Sequence, residues 1–170
     1  MTYQPGQWHD YFLMVGGGAA ALTGLVFVAM TLHLEDITRN PVHRHRARTI
    51  LTGLTAVFIR CALVLMGGQN AQAVGLELIG VLLVVEAILY NSIRQAAQSA
   101  DPWVLRRTIG SFICLVVEQA GAVVLFFGGA WGLYLVGLGM MSSFVFMVSG
   151  AWLLLVGVGQ DEASTATASR

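Results

Sequence analysis

The chain contains no lysine, and its nine cationic side chains are all arginine. Charged residues of either sign make up 11% of 170 residues, against about a quarter in a soluble domain. So little charge excludes an ordinary solvated surface, and a net charge of zero with no basic face excludes nucleic acid as a partner. Proline occurs three times and cysteine twice. Cys61 and Cys114 both fall in apolar runs, where a thiol behaves as a small hydrophobe, so they form no disulfide framework and indicate no redox compartment. The first ten residues carry no Lys or Arg, and the apolar run behind them is too long for a signal-peptide core, so this segment is expected to remain as a helix. No Ser, His and Asp set lies at one depth, and HExxH, phosphate-loop and CxxC patterns are missing, so the expectation is a non-enzyme without cofactor.

What is present is apolar sequence, 56% of the chain with a mean hydropathy of +0.74, arranged in long runs. About 20 residues are needed to cross a bilayer once, so most of the chain is used in crossing it several times. The pattern predicts an all-α integral membrane bundle, one domain over 1–158 with helices at about 10–34, 41–66, 73–92, 102–127 and 131–158. A polar tail at 159–170 lacks periodicity and is expected to be disordered.

The segment boundaries carry their own chemistry. Trp8 and Tyr11 suit a headgroup interface, and Asp10 is placed to cap the first helix. Asn40 before Pro41 and Asp101 before Pro102 are helix starts, while Gly67 with Gly68 and Gly128 with Gly129 are uncharged stops. Arg39, Arg44, Arg46 and Arg48 crowd one link and Arg94, Arg106 and Arg107 the next. That excess marks both links as cytoplasmic, puts the N-terminus outside and the C-terminus inside, and offers Arg39, Arg44, Arg46, Arg48, Arg106 and Arg107 to anionic lipid headgroups. The last run is longer than one span needs and contains Gly137, Gly139, Ser142 and Ser143, so it is either tilted or broken. The stretches from Pro41 to Gly68 and from Pro102 to Gly129 echo one another in their proline start, an Arg-Thr-Ile and a Gly-Gly stop, as an internal repeat would.

Three intramembrane charges stand out. Arg60 lies roughly 18 Å along its helix from the preceding basic residues, near the bilayer midplane, and Glu86 and Glu118 occupy similar places in their own runs. An unpaired charge at a helix centre costs about 2.5 to 3.5 kcal/mol on insertion scales, so each needs a partner or water. Arg60 shares a face with Gly53, Ala56, Val57 and Val64, and Glu118 with Ser111, Cys114, Gly121 and Ala122. Both lie in lanes of small residues where a neighbouring helix packs. Gln119 adds an amide to this Arg60, Glu86 and Glu118 cluster. Glu77 faces elsewhere, near the outer boundary, as an interfacial or pore-mouth acid. Gly16, Gly17, Ala20, Ala21 and Gly24 form a small-residue lane on the first helix, expected to pack another helix. His33, Glu35, Asp36, His43 and His45 are better headgroup-level residues than metal ligands, because histidines two apart diverge on a helix and the arginines repel cations.

The opening WHDYFLMVGGGAAALTGLVFVAMTLHL, Trp8 to Leu34, resembles the start of a family of small bacterial multi-spanning membrane proteins, some of which are labelled as modulators of a membrane-anchored AAA protease. The resemblance extends over the rest of the chain in size and spacing. It implies a bacterial inner-membrane location and brings no catalytic residue.

Two functional readings follow. In the first, the protein is a non-catalytic, homo-oligomeric subunit or regulator of a membrane complex, with lipid, further copies of itself and a membrane protein as partners, and its buried charges set assembly. In the second it is an oligomeric ion channel or proton-coupled carrier. There Arg60 is the fixed counter-charge to one carboxylate, and the other takes up a proton or cation.

Overall fold

The computed structural model describes the backbone of residues 5–39, 41–98 and 102–168, and most of their side chains, the main exceptions being 91–98, 102–108 and 158–168. A 3-10 turn, Pro5–Trp8, leads into α1, His9–Leu32, and a short α2, Leu34–Arg39. Four long helices follow: α3 Pro41–Leu65, α4 Ala71–Gln98, α5 Pro102–Phe126 and α6 Gly132–Ala168. No strand occurs among the described residues. Five stretches are long and apolar enough to cross a membrane: Gly6–Leu32, His43–Leu65, Ala71–Tyr90, Ile109–Phe126 and Gly132–Leu154. Large side chains such as Leu13, Phe27, Leu76, Leu83, Leu138 and Trp152 lie exposed along them, a surface suited to hydrocarbon rather than water.

Local chemistry explains where the elements differ from expectation. The α4 helix begins at Ala71, two residues early, because the Asn70 side-chain oxygen accepts the Ala73 N–H at 2.8 Å and caps the first turn. Asp10 is not a cap; it lies exposed in the first turn of α1, and Trp8 holds the cap position without a side-chain hydrogen bond. His33, at φ −113° and ψ 31°, interrupts the helix that was expected to run to Leu34, and α2 resumes beyond it with Ile37 buried. The α6 helix is not broken at its Gly and Ser positions and continues to Ala168, over residues expected to be disordered. No proline follows Pro102, and the Ala, Glu and Gln of that segment are tolerated in a helix already begun. Asn40 and Asp101 lie outside the described residues.

The α3 helix is the hub, packing on α1, α2, α4 and α6, while α5 packs along both α4 and α6. Between α3 and α5 there is next to no direct backbone approach. Both are 25 residues long and start at proline, as the echo requires, yet α5 packs far more closely on α6 than α3 does on α4. The likeness is confined to the helix ends. Two apolar clusters fill the interior. One, near the glycine turns, joins Phe12, Val15 and Ala19 to Val57, Leu78, Leu125, Val136 and Met140. The other, towards the arginine-rich links, joins Val26, Met30 and Ile37 to Ile50, Leu54, Ala151 and Leu154.

Glycine sets the helix spacing where backbones meet. A methyl group at Gly75 would lie 2.5 Å from Phe126 N, and one at Gly121 would lie 2.7 Å from Gly132 O, so α5 touches α4 and α6 backbone to backbone.

Candidate functional site

Arg60 projects from α3 across the gap to α5, where Nη1 lies 2.5 Å from Glu118 Oε1. Its Nε donates to the Ala56 carbonyl one turn back at 2.9 Å, which fixes the side chain along its own helix before it crosses. The residues are 1% and 0% exposed, a closed ion pair in an apolar interior. Glycines on neighbouring helices make room for the pair. On the α5 side, a methyl at Gly139 of α6 would stand 2.8 Å from Glu118 Cβ and 3.0 Å from Cys114 O, so α6 approaches Glu118 only because residue 139 has no side chain. Beside Arg60, the Cys61 thiol donates to Met140 Sδ at 3.2 Å, and a methyl at Gly16 would stand 2.8 Å from Cys61 Cβ.

The other charges are placed differently. Glu86 is half-buried and has no hydrogen-bond or ion-pair partner among the described residues, although it is close enough for its charge to act on Glu118. Gly75 of α4 abuts Phe126 of α5, and counted from that contact Glu118 lies about 12 Å and Glu86 about 16 Å towards the arginine-rich links, a difference of roughly one helical turn. Gln119 is half-buried with Oε1 unpartnered. Glu77 is held locally, accepting from Gln69 Nε2 at 2.9 and 3.0 Å, which ties the α3–α4 turn to the first turns of α4.

Of the lane on α1, only Gly16 faces the bundle; Gly17, Ala20, Ala21 and Gly24 are exposed. The face that packs runs through Phe12, Val15, Gly16, Ala19, Val26 and Met30. Large apolar residues outweigh the small ones in choosing it, because they bury more surface per contact. Arg44 and Arg48 are exposed and Arg46 half-buried, while the side chains of Arg39, Arg106 and Arg107 lie outside the described residues. His43 is buried near Gly157, where a methyl would be 3.6 Å from its Nε2, while His45 is exposed. Among the described residues no group of three metal-ligating side chains occurs.

On the arginine-link side of the ion pair, α3 stands apart from α4 and α5 and leaves a cleft of about 50 Å³ floored by α6. Thr49, Thr52 and Gly53 form one wall, Val85, Ile88, Leu89, Ser111 and Leu115 the other, Ser143 and Met147 the floor, and Arg60 closes it towards the ion pair. Ser143 is 6% exposed and its Oγ has no hydrogen-bond partner. Sequence reading missed this serine and Gly139, treating both as signs of a helix break. The usable signal was their spacing, i and i+4, which stacks them on one face of α6.

At the glycine-turn end, Tyr11 of α1 donates its hydroxyl to the Gly137 carbonyl of α6 at 2.6 Å. Trp8 lies edge-on to Tyr134 of α6, with centroids 4.6 Å apart. No protein-family model, curated protein or solved structure matches the chain.

Proposed function

We propose that this is a multi-pass protein of a bacterial inner membrane that serves as a non-catalytic subunit or regulator of a membrane complex and assembles with further copies of itself. One observation carries the reading. The Arg60–Glu118 charges are closed within one chain, which leaves Glu86 as a half-buried carboxylate without a partner among the described residues, on a helix whose neighbouring Leu83, Ala87 and Tyr90 face outward. A carboxylate facing hydrocarbon is costly, and a second protein surface supplying a hydrogen-bond donor relieves that cost. The exposed Gly17, Ala20, Ala21 and Gly24 offer a further surface for close helix approach. The arginine-rich links face the cytoplasm, with the N-terminus outside, and the resemblance of Trp8 to Leu34 to a bacterial family supports the location.

The test is oligomeric state in lipid nanodiscs, by native mass spectrometry and by cross-linking in membranes. Wild type should run as a defined oligomer and Glu86→Leu as a folded monomer. A wild-type monomer with no cross-linked neighbour would overturn the proposal.

The second reading, a channel or proton-coupled carrier, draws on a different observation, the cleft beneath Arg60. Proton and cation flux into liposomes distinguishes it, since a purely structural subunit carries none.

A further inference from the structure

A buried arginine that already has its carboxylate does not need a cleft beside it, and helices free to close would fill the space. Here the space persists. Arg60 forms its roof, the unpartnered Ser143 Oγ lies in its floor, and Val85, Leu89, Leu115 and Met147 make the rest largely apolar. A cationic head position and a hydroxyl donor over apolar walls are complementary to a molecule with one anionic end and a short hydrocarbon body. The cleft is partly open, and its volume limits the part of the molecule seated beside Arg60. About 50 Å³ is roughly a third of the ~150 Å³ that accommodates benzene, enough for a chain of about two or three carbons.

We infer that the cleft is a binding site for a short-chain monocarboxylic acid, taken up together with its proton, with Arg60 and Ser143 holding the carboxylate. The proton follows from charge balance. With Glu118 ionised, Arg60 is neutralised, and a second anion would leave the interior with an uncompensated negative charge. The acid therefore binds as a neutral molecule. Its O–H bond breaks, the proton goes to the Glu118 carboxylate, and the freed carboxylate replaces Glu118 at the Arg60 guanidinium. One acid is made as one is consumed, and the net charge of the site is unchanged. The groups that face Glu118 permit this exchange. They are Arg60 and Cys61 from α3, Tyr11 from α1, Glu86 from α4 and Cys114 on its own helix, while α6 presents Gly139. Arg60 is the one cation among them.

The inference goes beyond the assembly reading and does not need the oligomer; it deepens the carrier reading by naming a ligand. Its test measures binding rather than flux or oligomeric state, so failure of each is visible separately. ¹³C-acetate and propionate would be titrated onto the full-length protein in nanodiscs, followed by saturation-transfer NMR between pH 5.5 and 8, with chloride as competitor. Saturable binding is expected, weakening about tenfold in total-ligand affinity per pH unit because only the neutral acid binds. Chloride at equal concentration should not displace it. Glu118→Gln should abolish that pH dependence, because Arg60 is then free for the anion at every pH. Val85→Phe, which fills the cleft without touching the ion pair, should lower affinity at least tenfold and serves where the Glu118 variant does not fold. Absence of saturable binding, equal displacement by chloride, or unchanged binding in Val85→Phe would each overturn the inference.

Discussion

Arg60 and Glu118 join two helices that otherwise scarcely touch, through an ion pair of 2.5 Å between residues 1% and 0% exposed. The pair spans the gap between α3 and α5, and its Arg60 end is already tied to Ala56 O. Removing one member leaves a buried charge alone, which typically costs about 3 to 5 kcal/mol, whereas replacing both with apolar residues is often neutral. Arg60→Met and Glu118→Leu should therefore each destabilise the protein severely, and the double variant should recover most of the loss. Denaturant unfolding in mixed micelles provides the double-mutant cycle. Additive losses in the double variant would mean the two side chains act independently.

Gly139→Ala should be damaging because the added methyl meets Glu118 Cβ at 2.8 Å and Cys114 O at 3.0 Å. A loss of about 1 to 3 kcal/mol is expected from forcing α5 and α6 apart. Gly24→Ala, with nothing within 4 Å of the new methyl, should stay within about 0.5 kcal/mol of wild type as a monomer. The same unfolding assay compares them, and an equal effect at both positions would contradict the packing described.

Tyr11→Phe keeps the ring against Trp8 and removes only the hydroxyl that donates to Gly137 O at 2.6 Å. The expected loss is about 0.5 to 1.5 kcal/mol, with hydrogen exchange faster at the start of α1. A neutral substitution would show that the α1–α6 contact rests on the aromatic rings alone.

The turns differ in their need for glycine. Gly68 and Gly128 hold φ of +82° and +84°, a conformation that costs a residue with a Cβ about 1 to 2 kcal/mol. Gly67, next to Gly68, is not in that region, and a methyl there meets nothing within 4 Å. Gly68→Ala and Gly128→Ala should lower thermal stability, and Gly67→Ala should not. A scan of melting temperatures across the three variants decides it.

The five long apolar helices, their proline starts and their glycine stops were legible in the sequence because each depends on neighbours within one turn, whereas the break at His33 that sets off α2 was not. A run of about 20 apolar residues, an Asn-Pro or a Gly-Gly means much the same in any fold. The two lanes of small residues around Arg60 and Glu118 were legible for the same reason, since facing along a helix follows from spacing. Burial and partner choice were not. Glu86 and Glu118 look equivalent when counted along their own segments, but Glu118 is fully buried against Arg60 while Glu86, roughly one helical turn nearer the arginine-rich links, is only half-buried. Within the chain, α1 packs through Phe12, Val15 and Val26, which bury more area than its small-residue lane, and Gly24 turns outward. Composition and periodicity determined that this is a helical bundle with five stretches long and apolar enough to cross a membrane, and that Arg60, Glu77, Glu86 and Glu118 lie within them. Only the tertiary structure decided that Arg60 takes Glu118, that Glu86 has no partner among the described residues, and that the cleft opens beneath the pair. Those outcomes depend on how far apart four different helices stand, and that distance is set by the glycines of α4, α5 and α6 acting together rather than by any segment alone.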